Sequence, residues 1–314
     1  MSPVFGFFAW SARQGSWLLA GGIFLGLLVP PLAAAMRDVV TPTVALLMTL
    51  VLLRVDPVQL LAHLRRPVMI LALTGWTLLV SPLIAWTVVS ALGPHGPLGA
   101  AVVIMATGCA ATSSPAFARL VGLDGEIALV VALLSTLLVP FTAPPLALGL
   151  LGIDLSISMG ALMGRLALVV LLPLLFSVVI RLLAGQARLH RVGPAVDGAV
   201  VWLVVLYGFG VMDGMLAEAM AAPLWVLGGV ALAFAASAAL NLTTALAFWP
   251  AGKRVALSAG LLSGNRNMAL YLAVLPATTD HRILLFFALC QFPLFLSPLL
   301  LKPAYAALAR PARS

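Results

Sequence analysis

The 314-residue chain is poor in charge. Asp, Glu, Lys and Arg make up 8% of it, against 63% apolar residues. A soluble domain is about half apolar and roughly a quarter charged. A water-soluble fold of this length needs more polar surface than the sequence carries. That excludes a soluble enzyme and a disordered chain. Acidic residues are the scarcer sign, 9 against 17 Lys and Arg. No HExxH or paired-carboxylate motif is present, so hydrolytic and metal chemistry has no visible machinery. Cysteine is limited to Cys109 and Cys290, each inside an apolar segment. That leaves neither a disulfide framework nor a CxxC zinc signal. The histidines, His63, His95, His190 and His281, all fall in connecting segments. A membrane-embedded enzyme would need a convergent acid, base or metal set, and these positions do not supply one. No basic run carries the interleaved aromatics of a nucleic-acid patch, so no nucleic-acid partner is expected. No loop is long enough for a separate soluble domain.

Long apolar runs are what the chain does have. A bilayer crossing needs about twenty mainly apolar residues. Ten runs qualify: 16–36, 39–55, 67–92, 97–121, 126–151, 157–184, 195–216, 222–249, 253–276 and 282–308. The connections are short and hold most of the charge: RRP at 65–67, GPHGP at 93–97, GQARLHRVGP at 185–194, PAGKR at 250–254 and TTDHR at 278–282. The N-terminus does not read as a secretory signal, because Arg13 follows an apolar aromatic stretch instead of preceding one. An even number of spans puts both termini on one side. The opposite side then receives only Arg37, Arg165 and Arg282, and Arg266 lies within a span. All other Lys and Arg residues fall on the side of the termini. Basic residues concentrate on the cytoplasmic side. The expectation is a multi-pass protein of the inner (plasma) membrane with both termini cytoplasmic.

The chain reads as a duplication. Residues 16–151 form a first set of five spans and 157–308 a second. LGLLVPPLA in the first span answers VVLLPLLFS in the sixth. LSTLLVPFTAPPLA in the fifth answers LCQFPLFLSPLLL in the tenth. Five is odd, so the two sets have opposite orientations. The fourth and ninth spans are the two with polar centres, TGCAATSSP at 107–115 and SGNRN at 263–267. Inverted repeats with interrupted helices at corresponding positions are the signature of a secondary transporter.

The two polar centres carry the candidate site. Pro115 removes a helical hydrogen bond and clashes with the preceding turn. The freed carbonyls, beside Thr112, Ser113 and Ser114, make an oxygen-rich pocket suited to a cation or a polar solute. A plain proline kink, with the hydroxyls bonded back to their own helix, is the bland alternative. Arg266 has about a helical turn or more of apolar residues on each side. A guanidinium stays charged, and at mid-bilayer it must be paired or hydrated. Three partners are open to it: a carboxylate from another span, Asp197 or Asp213; the carbonyls of a broken helix; or an anionic substrate. Snorkelling to the surface is the bland alternative. An anion-attracting arginine facing a central cavity is the favoured expectation. Ser135, Thr136, Thr142, Asn241, Thr243, Thr244 and Gln291 add polar groups that serve more often as interhelical glue. The candidate substrate-binding set is Thr112, Ser113, Ser114, Pro115, Asn265, Arg266, Asn267 and Gln291.

The sequences GCAATSS followed by ALVVALLSTLLVP, GIDLSISMGALMGRLALVVLLPLLFSVVI, and SGNRNMALYLAVL resemble the bile acid:sodium symporter family. The larger group also contains arsenite exporters. The resemblance covers nearly the whole chain. It implies an all-α fold of ten helices in two inverted five-helix repeats, with helices 4 and 9 unwound and crossing at mid-membrane. It also implies a core domain, 97–151 and 253–308, moving against a panel domain, 16–92 and 157–249. Function follows by analogy: alternating-access transport of a small organic anion.

The family's fourth span reads GCCPGGTASN. Gly108, Cys109, Thr112 and Ser114 match it, and Pro115 stands in place of a sodium-binding Asn. The family's ninth span reads EVGMQNSGLA. Gly264 and Asn267 match, while Leu262 replaces the Glu and Arg266 the Gln. Val130 and Leu134 stand where a Ser and a Thr bind sodium. Ser114, Pro115, Val130, Leu134, Leu262 and Arg266 are thus vestigial sodium-site positions. The departures argue against sodium coupling, with Arg266 as a tethered cation in the ion's place. No other cofactor or metal is implied, and the oligomeric state is left open. Cys109 sits where the arsenite exporters use a cysteine, and reads first as a small buried thiol. A proton-coupled carrier or an arsenite-exporter-like efflux protein is the alternative. Proton coupling usually needs a central carboxylate, and Glu126 lies near a span end.

Overall fold

The computed structural model describes residues 3–55, 67–92, 96–151, 157–276 and 278–309. His63, His95, Arg65, Arg66, Arg310 and Arg313 lie outside them. The described residues are helical, with one isolated β-bridge and no strand. In chain order the helices are α1 (Pro3–Arg13), α2 (Gly15–Leu28), α3 (Pro30–Arg37), α4 (Val40–Leu53) and α5 (Pro67–Gly75). A π-helical turn (Trp76–Val80) leads into α6 (Ser81–Leu92), followed by α7 (Pro97–Thr107), α8 (Ser114–Leu120), α9 (Gly125–Leu151) and α10 (Met159–Ala184). Next come α11 (Gln186–Val211), α12 (Met215–Ala221), α13 (Pro223–Ala247), α14 (Lys253–Gly264) and α15 (Met268–Val274). The last three are α16 (His281–Leu289), α17 (Gln291–Leu300) and α18 (Lys302–Ala309).

Every expected span is helical, but several are interrupted. Pro67–Ala91, Gly125–Gly149, Met159–Ala184, Gln186–Val211 and Pro223–Ala247 are long and apolar enough to cross a membrane. Trp17–Leu28 and Pro30–Arg37, bent by 102°, make a sixth if they form one span. By length and composition alone five or six crossings qualify among the described residues, and the apolar helices Val40–Leu53, Pro97–Thr107 and His281–Ser297 are shorter. The bend has a local cause. Pro30 has no N–H, and the residue before a proline is pushed out of the α region. Val29 accordingly sits at φ −121°, ψ 74°. Two boundaries also differ from expectation. Residues 3–13 are helical, and the hydrogen-bonding continues across Gln14, whose N–H bonds Trp10 O at 3.1 Å. The charged stretch 186–194, expected as a connection, is the first part of α11, so His190 is helical.

The chain divides into two compact units, Met1–Val58 with Ala167–Val226, and Gln59–Leu166 with Leu227–Ser314. Residues 67–92 and 227–249 belong with 97–151 and 253–308.

In the first unit α11 is the central element, packed by α1, α2, α3 and α4. Gly198 allows α1 to approach so closely that a Cβ there would overlap the Phe8 carbonyl. Phe7 stacks on Trp202, whose indole N–H donates to Ser11 Oγ at 3.0 Å. Arg54 pairs with Asp197 at 2.7 Å, and Arg37 with Asp213 at 3.1 Å. On α10, Leu182 and Leu183 are 78% and 82% exposed. Such surface suits lipid, where apolar side chains need no covering.

In the second unit α7 packs against α6, α9 and α16, and α14 packs against α9. All residues of α7 from Gly99 to Thr107 are buried, as are Ala256 to Gly264 of α14. Both helices stop inside this packed unit. Irregular backbone at such a place is tolerated only where protein or ligand satisfies it.

Candidate functional site

The first break starts at Gly108, which turns extended (φ −63°, ψ 154°) after α7, and ends at Ser114. Pro115 explains the lower boundary, because it cannot donate to Ala111 as a helix would require. The second break runs from Asn265 (φ −101°, ψ 93°) to Asn267 (φ −86°, ψ 85°). Gly264 and the two asparagines are poor helix formers.

The two breaks pair with each other. Ala110 and Arg266 form an antiparallel bridge. Ala111 N–H donates to Asn265 O at 2.8 Å, and Asn267 N–H to Cys109 O at 2.9 Å. Side chains satisfy more of the freed backbone. Ala110 N–H donates to Ser135 Oγ at 3.2 Å, and Ser237 Oγ donates to Gly264 O at 2.7 Å. Buried backbone groups must find partners, and here each broken segment supplies them to the other.

Arg266 sits in this junction, 2% exposed. Its Nε–H donates to Ser263 O at 2.7 Å. Nη1 donates to Thr77 O and to Gly108 O, each at 2.8 Å. Nη2 donates to Ser263 Oγ at 3.0 Å, and that oxygen lies 3.1 Å from Ser81 Oγ. Of the partners left open by sequence, the broken-helix carbonyls are the ones it takes. Asp197 and Asp213 are bonded to Arg54 and Arg37 instead. Snorkelling does not occur.

Each carbonyl that Arg266 holds has lost its helical donor for an identifiable reason. An α-helix would bond Thr77 O to Ser81 N–H, but in the π turn Ser81 N–H goes to Trp76 O. The π register would use residue 82, and Pro82 has no N–H. Ser263 O would take Asn267 N–H, which is committed to Cys109 O. Gly108 O faces no continuing turn because α7 has ended. Thr77 and Ser81 were not expected at the site. Their one sequence signal is the Ser81–Pro82 step in mid-span, and π turns often mark functional positions.

The remaining sequence candidates fall into three groups. Asn265 and Asn267 are buried in the second break, and Ser114 and Pro115 are buried at the end of the first. Thr112 and Ser113 are half-buried beside them. Two buried polar atoms here, Ser114 Oγ and Asn265 Nδ2, have no hydrogen-bond partner among the described residues. A second group braces the junction. Thr136 Oγ1 donates to Ala132 O at 2.7 Å and to Cys109 Sγ at 3.5 Å. Thr107 and Tyr271 share a hydroxyl hydrogen bond. On α9 it is Ser135 and Thr136 that touch the first break, while Val130 is a buried apolar residue and Leu134 half-buried. The third group bonds elsewhere. Thr142 and Thr243 donate to their own helices. Thr244 accepts from Trp76, and Asn241 donates to Tyr305. Gln291 donates to Phe287 O at 3.2 Å on its own chain segment. Cys109 is fully buried, and its thiol packs against Thr136.

Sodium requires several hard oxygen ligands and usually a carboxylate to offset its charge. The oxygens that converge here are filled by a guanidinium, and Leu262 is a buried apolar residue. The residues present do not fit a sodium ion at this point. Among the described residues no three His, Cys, Asp or Glu side chains cluster as a metal site.

Long apolar helices with lipid-suited surface, and two broken helices joined through their backbones, point to a multi-pass helical membrane protein. A family model for the sodium bile acid symporter family matches residues 41–216, more than half of the chain, and the protein belongs to that family. The matched stretch contains the first break and ends before Arg266. No curated protein matches the chain.

Proposed function

We propose that the protein is a secondary transporter that carries a small organic anion by alternating access, without sodium coupling. The observation that carries this reading is the uncompensated positive charge at the junction. Arg266 bonds to carbonyl and hydroxyl oxygens and, among the described residues, to no carboxylate. Four helix ends meet there, the C-termini of α7 and α14 and the N-termini of α8 and α15. Their partial charges, about half a unit each, cancel to first order. The guanidinium alone sets the sign of the field. Ser114 Oγ and Asn265 Nδ2, one on each break, are buried hydrogen-bonding groups still to be satisfied. An anion with acceptor oxygens meets both demands.

On this reading Thr112, Ser113, Ser114, Asn265 and Asn267 face or flank the solute, with Pro115 holding the break open and Gln291 behind them. Arg266 acts through its charge, since most of its donors are already committed. The fold would comprise ten crossings in two inverted sets of five, with cytoplasmic termini in the inner membrane. A core formed by 97–151 and 253–308 would move against a panel formed by 16–92 and 157–249 to expose the solute to each side in turn.

The test is uptake of radiolabelled organic anions into liposomes, driven once with a sodium gradient and once with potassium in its place. The expected result is equal uptake. Strict dependence on sodium would refute the reading.

A further inference from the structure

The geometry points to a backbone cation cage around Arg266, one that will bind a free guanidinium ion once the Arg266 side chain is cut back. The cage is Thr77 O, Gly108 O, Ser263 O and Ser263 Oγ, drawn from three separate stretches of chain. Its oxygens are available for reasons that do not involve Arg266. Ser81 N–H is spent on Trp76 O, Asn267 N–H is spent on Cys109 O, and α7 ends at Thr107. The backbone that positions them is also held independently. Ala111 bonds Asn265, Ser135 holds Ala110, Ser237 holds Gly264, and Ser81 holds Ser263. Removing the side chain beyond Cβ therefore leaves the oxygens in place, aimed at one point and short of a donor.

The cage is made of neutral oxygens, so it suits a monovalent cation and not a divalent one. Its acceptors lie around a planar fork, and guanidinium is more weakly hydrated than ammonium. A compact ion such as sodium would lose more hydration to enter and would not span the same acceptors. In the native chain the occupant is tethered. Its effective concentration is set by the chain and not by the surrounding solution. The cage is consequently full at every stage of a transport cycle, and the π turn and both breaks stay clamped as one body. This goes beyond the transport reading, because its measurement needs no transported solute.

The test is thermal unfolding of the full-length Arg266→Ala protein in detergent micelles, titrated with millimolar guanidinium chloride, sodium chloride, potassium chloride or urea. The variant is expected to melt below wild type. Guanidinium should raise its Tm saturably, while wild type stays flat or falls. That sign is opposite to guanidinium's general denaturing action, so a non-specific effect cannot imitate it. Absence of a saturable rise, an equal response in wild type, or rescue by sodium and not guanidinium would each overturn the cage. Should Arg266→Ala not accumulate, the folded yield from cells grown with guanidinium or urea is the readout. A yield that rises only with guanidinium supports the cage, and an unchanged yield overturns it. A protein that shows rescue but takes up anions only with sodium keeps the cage and loses the transport reading. Sodium-independent uptake without rescue does the reverse.

Discussion

Replacing Arg266 by lysine isolates the geometry of the guanidinium from its charge. Both side chains are cationic, and an ammonium is the more strongly hydrated, so burying it costs no less than burying the guanidinium and the loss of contacts sets a lower bound on the difference. What changes is the fork. Arginine serves four acceptor contacts from three nitrogens, to Ser263 O, Thr77 O, Gly108 O and Ser263 Oγ. A lysine ammonium stands about where the arginine Cζ stands, one bond length short of Nη1 and Nη2. It cannot serve Thr77 and Gly108 on one side and both Ser263 oxygens on the other. Keeping two contacts and losing two costs about 3–6 kcal/mol, taking roughly 1.5–3 kcal/mol for a hydrogen bond to a charged group. That is a large share of a stability of about 5–15 kcal/mol. The assay is reversible unfolding of wild type and Arg266→Lys in mixed micelles, followed by helix content. A variant within about 1 kcal/mol of wild type would show that the charge suffices and that the fork holds nothing together.

Gly264→Ala places a Cβ 2.8 Å from Ser237 O and 3.0 Å from Asn241 Cβ, at the point where α14 ends. Overpacking of this kind costs about 1–3 kcal/mol. The same unfolding assay should register it, together with reduced anion uptake, and an unchanged midpoint would refute the close approach. Asp197→Asn should act weakly by contrast. The Arg54 and Asp197 side chains are 39% and 44% exposed, and such pairs contribute roughly 0–1 kcal/mol. A loss well above that would mean the pair is shielded from water in the membrane-embedded protein.

How much of the molecule was legible depends on what kind of group carried each feature. Proline and glycine act on their own backbone, so their effects were readable locally. Pro115 and Gly264 mark the two breaks, and the structure has both. Pro30 bends the first apolar run, by 102°, which the apolar pattern alone does not predict. The helical start at Pro3 is not legible locally because its partners, Gly198 against Phe8 and Trp202 bonded to Ser11, are distant in sequence. The charged stretch before Ala195 looked like a connection by composition, but its backbone continues the helix of α11. Expecting Arg266 to face an anion directly was reasonable from burial and charge. Its donors turned out to be engaged by oxygens that every residue type carries.

The sequence by itself determined the solvent of this protein, the placement of its apolar helices and the position of both breaks. Those depend on side-chain chemistry, which is written in the residue names. Only the tertiary structure decided where the Arg266 guanidinium goes. Its partners are carbonyls, and a carbonyl looks the same in any residue. Whether one is free depends on the hydrogen bonds its neighbours have already made, and at Thr77 and Ser263 those neighbours are spent on other partners. That information arises only when the three stretches of chain are brought together.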